Sequence, residues 1–132
     1  CLVGSEMCIR DRQSAVHLKL SVLSSVVKGK RLVLIDDSIV RGTTMASLIR
    51  MLKDAGATEV HVRISSPPFL FPCYYGTDVP SNDQLIASSH TAAEICASIG
   101  ADSLGYMKLE DLKQMTGDLP LCKACFDSHY PV

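Results

Sequence analysis

Residues 32–44 read Leu32-Val33-Leu34-Ile35-Asp36-Asp37-Ser38-Ile39-Val40-Arg41-Gly42-Thr43-Thr44. The four apolar residues at the start, half of them β-branched, predict a short strand buried on both faces, as in a parallel sheet. Two carboxylates stand where that strand emerges, followed by a serine, a glycine and two threonines. Apolar residues at helical spacing come next. In open α/β sheets, ligands sit outside the carboxyl ends of the strands, so this strand–loop–helix is a candidate site. The predicted class is α/β, a parallel sheet flanked by helices.

The loop's atoms suggest a ligand. A helix start offers unsatisfied N–H groups and partial positive charge, which suits a phosphate. Gly42 lets the main chain approach a ligand closely, and the Ser38, Thr43 and Thr44 hydroxyls add donors. Asp36 and Asp37 beside a phosphate would repel it unless they face something else. Sugar hydroxyls answer that need, as does Mg²⁺, which takes one or two carboxylates plus substrate phosphates. The ligand implied is a phosphorylated sugar with a metal. Neither the Gly-x-x-x-x-Gly-Lys-[Ser/Thr] spacing of a Walker loop nor the Gly-x-Gly-x-x-Gly of a dinucleotide fold occurs here. The plain alternative is a strand–turn–helix whose acids merely cap the helix.

Composition sets bounds. At 132 residues the chain is one domain at most. With 47% hydrophobic and 20% charged residues it reads as globular. A net charge of −1 gives no general pull toward nucleic acid or an anionic membrane. No apolar run approaches the roughly twenty residues of a membrane span, and residues 1–12 lack the basic-then-apolar order of a secretory signal. Six cysteines would fit a secreted disulfide scaffold. The α/β patterning favours a reducing cytoplasm instead, where clustered cysteines bind metal or act catalytically.

Residues 33–44 resemble the phosphoribosyl pyrophosphate (PRPP) motif of type I phosphoribosyltransferases, and their wording is most similar to that of the glutamine PRPP amidotransferases. The resemblance implies a partial type I phosphoribosyltransferase fold with an irregular C-terminal cysteine-bearing region. It implies a PRPP site of Asp36, Asp37, Ser38, Ile39, Val40, Arg41, Gly42, Thr43 and Thr44. In it, both aspartates meet the ribose hydroxyls directly or through Mg²⁺, and the backbone of residues 38–44 holds the 5′-phosphate. The activity implied is displacement of pyrophosphate from PRPP by glutamine-derived ammonia, giving 5-phosphoribosylamine, the first committed step of purine synthesis. No residue here reads as a general base, so no catalytic residue is assigned; positioning and electrostatics would supply most of the rate.

Residues 1–15 read as a non-native or truncated leader, and residues 16–132 as the C-terminal part of a phosphoribosyltransferase domain. Cys1 invites comparison with the family's N-terminal glutaminase nucleophile. However, Leu2 and Val3 follow it instead of a Cys-Gly-Val start, and the hundred or so residues of a glutaminase domain are missing. At residues 17–21, where the family carries an Arg-x-Lys-Leu-Asn-Pro-like segment, this chain has His17, Lys19, Leu20 and Ser21. Met45, Leu48, Ile49 and Leu52 predict one helix face, closed by Gly56. Val60, Val62 and Ile64 alternate with His61, Arg63 and Ser65 as a second strand, with His61 and Arg63 on the surface. Prolines exclude regular structure from residues 65–80. Two capping boxes, Ser81 with Gln84 and Thr91 with Glu94, predict two short helices. The second carries an apolar stripe of Ala92, Ile95, Cys96 and Ile99, with Cys96 a small buried hydrophobe. A strand over residues 103–107 and a helix over 109–115 complete the chain.

A bare Cys122-Lys-Ala-Cys125 is a redox pair, half a zinc site or two ordinary thiols. In the iron–sulfur amidotransferases, one cluster ligand lies in a Ser-Pro-Pro…Pro-Cys-[Tyr/Phe]-x-Gly segment and two lie in a terminal Cys-x-x-Cys-Phe…Tyr-Pro segment. Ser66-Pro67-Pro68 with Pro72-Cys73-Tyr74-Tyr75-Gly76, and residues 122–126 with Tyr130-Pro131, resemble both. The resemblance implies a structural [4Fe–4S] cluster on Cys73, Cys122 and Cys125. The fourth thiolate that such clusters use would come from outside this chain. The rival is zinc, told apart by iron content and visible absorbance. The resemblance also implies PRPP and glutamine or ammonia as partners and a homo-oligomeric parent; charge, hydropathy and cysteine usage point to no nucleic acid, no membrane and a cytoplasmic location. With the glutaminase domain and the upstream half of the transferase domain missing, the chain alone is expected to make no phosphoribosylamine. The other readings are a nucleobase phosphoribosyltransferase and a non-enzymatic PRPP-binding regulator.

Overall fold

A computed structural model describes residues 22–76, 79, 81–117 and 119–131. The expectations for residues 1–15 and for the 17–21 segment lie outside the described residues. Strand β1 (Arg31–Asp36) runs into helix α2 (Thr43–Asp54), which returns to strand β2 (Glu59–Ile64). The one-turn helix α1 (Ser24–Val27) precedes them. The two strands pair in parallel from Arg31↔Glu59 to Asp36↔Ile64. Helix α3 (Ala92–Ile99) then leads to strand β3 (Ser103–Tyr106), which adds in parallel on the far side of β2. The order β1-β2-β3 is the parallel sheet predicted. Helix α4 (Leu109–Thr116) and the one-turn helix α5 (Ala124–Asp127) end the described chain. Among the described residues no helix is long and apolar enough to cross a membrane.

The predicted helix periodicity builds the core. Met45 and Ile49 of α2, Val60, Val62 and Ile64 of β2, and Ile95 and Ile99 of α3 form one buried cluster with Ile39. Both long helices therefore cover the same face of the sheet. The Thr91–Glu94 capping box forms: Glu94 N–H donates to Thr91 Oγ1 (3.3 Å) and Thr91 N–H to Glu94 Oε2 (2.7 Å). The Thr91 N–H, and after it the Thr91 hydroxyl (2.8 Å), donate to the Glu94 carboxyl and hold it below its usual range. Asp102 fastens β3 to β2 in a similar way, accepting from Val60 N–H (2.7 Å) with Lys53 Nζ 3.2 Å away.

Some expectations change. Strand β1 is not buried on both faces: Val33 is 65% and Ile35 72% exposed. The helices of two consecutive βαβ units cover one face, and among the described residues nothing covers the other. That open face carries a polar network instead. Glu59 Oε2 takes Arg31 Nε and His61 Nε2, both at 2.8 Å, while Ser103 Oγ meets His61 Nδ1 (2.9 Å) and Arg63 Nη1 (3.0 Å). His61 and Arg63 thus lie on the surface side, as expected. The Ser81–Gln84 capping box does not form. Two 3₁₀ turns, Asn82–Gln84 and Ile86–Ser88, stand there, and the Ser81 side chain caps neither. Between them Leu85 is extended and 1% exposed, drawn into a second hydrophobic cluster; that tertiary anchor interrupts any helix. Ala92 is exposed rather than part of the α3 stripe, and half-buried Cys96 donates its thiol to Ala101 O (3.3 Å).

Candidate functional site

The loop between β1 and α2 is held at three levels. At its base, the Asp36 carbonyl accepts from Ser65 N–H (2.9 Å) and Ser65 Oγ–H (3.2 Å), tying the end of β1 to the end of β2. In its middle, Ile39 is 3% exposed and enters the main core, while half-buried Val40 enters the second cluster with Phe69, Val79 and Leu85. Val40 O accepts from Ile86 N–H at 2.9 Å, and the Arg41 guanidinium donates from Nη2 to Gln84 Oε1. At its end, Gly42 takes a left-handed φ of +77° as the N-cap of α2. A Cβ there would stand 3.3 Å from Ile86 Cδ1 and 3.4 Å from Ile99 Cγ2, so both conformation and space call for glycine.

This geometry decides against the acids as helix caps. Asp36 Oδ1 accepts from Asp37 N–H (2.9 Å) and Asp37 Oδ1 from Ser38 Oγ–H (3.1 Å), and neither reaches the first turn of α2. Among the described residues no side chain caps α2, and its first turn holds no acid. Thr43 and Thr44 are exposed there. An uncapped helix start presents N–H donors and partial positive charge to an anion. Each aspartate commits one oxygen locally and keeps a second. Asp37 is exposed and Asp36 half-buried at the same end of the sheet, which suits a hard cation or sugar hydroxyls. The nine residues predicted for the site run from the last residue of β1, Asp36, through the loop to the first two residues of α2. Sequence reading missed Gln84 and Ile86, which brace the loop from more than forty residues away; no local pattern marks such a pair.

The cysteines occupy another corner. Leu70 and Phe71 N–H both donate to Cys125 O (3.0 and 3.1 Å), and Gly76 N–H reaches Cys73 Sγ at 3.5 Å. Tyr130 Oη–H donates to Pro72 O (2.7 Å) and Tyr75 Oη–H to Pro131 O (2.6 Å), so the tail is laced to the irregular segment. Burial pushes the Cys125 thiol up, with the Cys73 and Cys122 charges adding to it. The hydrogen bonds hold the tail that carries Cys122 and Cys125 against the segment that carries Cys73. Even so, among the described residues no group of three or more His, Cys, Asp or Glu side chains is arranged to hold a metal ion. The described geometry does not by itself form a cluster site. Cys125 and Phe126 also pack on the cluster that Val40 enters, so this corner and the loop share one apolar support.

No protein-family model matches the chain. Curated amidophosphoribosyltransferases do. That of Archaeoglobus fulgidus is 50% identical over 125 residues, covering 92% of this chain and 27% of the relative. That of Pyrococcus horikoshii is 54% identical over 120 residues, covering 91% and 27%. That of Bacillus subtilis is 49% identical over 126 residues, covering 91% and 26%. Among solved structures, the B. subtilis glutamine PRPP amidotransferase complexed with ADP and GMP is 50% identical, with a TM-score of 0.76, over 84% of this chain and 26% of that one. A structure described as the allosteric regulatory enzyme of purine biosynthesis gives 50% identity and a TM-score of 0.77 over 84% and 25%. The chain spans about a quarter of the length of the relatives it matches. It shares with them the phosphoribosyltransferase-type fold of a parallel sheet flanked by helices.

Proposed function

We infer that this chain is a segment of an amidophosphoribosyltransferase, homologous to those enzymes over 92% of its length, and that it carries the PRPP loop of the parent enzyme. The observation that supports this reading best is the start of α2, which the described side chains leave uncapped, with two aspartates nearby whose hydrogen bonds go to neighbouring residues and not to that helix. In the whole enzyme the C1′–oxygen bond of PRPP breaks and its electron pair leaves on pyrophosphate. Ammonia from glutamine forms the C1′–nitrogen bond and sheds a proton to solvent, giving 5-phosphoribosylamine.

The chain's own residues take defined roles. The N–H groups at the start of α2 and the Thr43 and Thr44 hydroxyls donate to the 5′-phosphate, with Ser38 and Arg41 beside it and Ile39 and Val40 anchoring the loop. Asp36 and Asp37 hold the ribose hydroxyls, and their fixed charge favours an oxocarbenium-like transition state over the ground state. Mg²⁺, when bound, would neutralise phosphate charge near these two aspartates. Because ammonia attacks without prior deprotonation, orientation supplies most of the rate. For Cys73, Cys122 and Cys125 the proposal is thiolate ligation of a structural [4Fe–4S] cluster completed from outside this chain; the motif resemblance and the shared corner support it. The parent is proposed to be a cytoplasmic homo-oligomer.

Isothermal titration of the chain with PRPP in Mg²⁺ tests the loop reading. Asp36→Asn/Asp37→Asn is expected to weaken binding about tenfold or more, the scale of lost bonds to charged groups. Unchanged affinity in the double variant would contradict it.

A further inference from the structure

Three consecutive loop residues bear on one short segment. Val40 O accepts from Ile86 N–H (2.9 Å), Arg41 donates to Gln84 Oε1, and Gly42 leaves room for Ile86. That segment closes on itself, since Ser88 Oγ–H donates to Asn82 O (3.1 Å) and Leu85 O (2.7 Å), and Leu85 pins it to the second cluster. A braced acceptor on a fixed support meets the one cationic side chain of the loop.

We propose that Gln84 is a positioning residue for PRPP binding, acting through Arg41. The inference rests on the reading of residues 36–44 as a PRPP loop. A free arginine loses much rotamer freedom when it engages a ligand. Gln84 imposes part of that order beforehand and uses one of the five guanidinium N–H donors. Its amide is neutral, so Arg41 is oriented while its charge stays available to an anion. A carboxylate here would orient and also neutralise. Arg41 is exposed and Gln84 half-buried, so the contact adds little to folding; its consequence lies in binding.

Calorimetric titration with PRPP and Mg²⁺ across five chains is the test. Gln84→Ala is expected to weaken binding about three- to tenfold, the scale of ordering one long side chain, with an unchanged melting temperature. Gln84→Glu keeps the acceptor but sets a carboxylate against the guanidinium, and is expected to weaken binding at least as much as Gln84→Ala, with a loss that shrinks as salt rises. Gln84→Ala is expected to add no loss in an Arg41→Ala background, because its effect runs through that guanidinium. Parental affinity in Gln84→Ala, or an equal loss with and without Arg41, overturns the proposal and leaves the loop reading intact. If the unsubstituted chain binds no PRPP, the loop reading fails and this inference falls with it.

Discussion

Ile49→Ala is expected to cost about 2–5 kcal/mol of folding stability, the range for deleting buried methyl groups where the site cannot collapse. Ile49 is 1% exposed on α2 and lies in the cluster where that helix meets Val60 and Val62 of β2 and Ile95 of α3. Three elements converge on the vacated volume, so little relaxation can fill it. Against the 5–15 kcal/mol of an ordinary domain, the loss is a large fraction of the whole. Urea denaturation at neutral pH reads it as a lower midpoint at unchanged slope. Ile35→Ala supplies the internal control. Ile35 is 72% exposed on the open face of β1, and its truncation is expected to change stability by no more than about 0.5 kcal/mol. Equal effects at the two positions would mean that the sheet is not covered on one side only.

Gly42→Val is expected to be nearly as damaging, for two independent reasons. The φ of +77° lies where an L-residue pays about 1–2 kcal/mol, and a β-branched one fits least well. A Cβ at 3.3 Å from Ile86 Cδ1 and 3.4 Å from Ile99 Cγ2 leaves no room for two further methyls, and overpacking adds about 1–3 kcal/mol. Together they predict a loss of about 2–5 kcal/mol on urea denaturation. Gly76, with nothing within 4 Å and no positive φ, is expected to accept alanine with little change. A Gly42→Val chain as stable as its parent would show that the turn into α2 is not held as described.

How much of this was legible beforehand depends on how local each cause is. The α2 face, the alternation of β2 and the Thr91–Glu94 box rest on spacings within one element, and each forms as read, save that Leu48 of the α2 face stays outside the core cluster. The position of the loop was legible for the same reason: its residues run consecutively from the end of β1 to the first turn of α2. Burial of β1 was misjudged because four apolar residues in a row do not reveal which face gains a covering layer. Ser81 and Gln84 have the right spacing for a cap, but Leu85 is drawn into the second cluster and Gln84 turns to Arg41. Both outcomes are set by residues far away in the chain. The thiol corner is intermediate. Its Cys-x-x-Cys spacing is visible in the sequence, whereas the lacing of Tyr130 to Pro72 and Tyr75 to Pro131, which brings the tail to Cys73, is not.

The central claim is that residues 36–44 grip a phosphorylated pentose between a helix start and two aspartates. Amide chemical-shift mapping of the isotope-labelled chain, titrated with ribose 5-phosphate and Mg²⁺, addresses it most directly. The largest shifts are expected on the amides of Gly42, Thr43, Thr44 and Met45, with smaller ones at Asp36 and Asp37. Shifts concentrated instead around Lys113 and Lys123, with the loop amides unmoved, would contradict it.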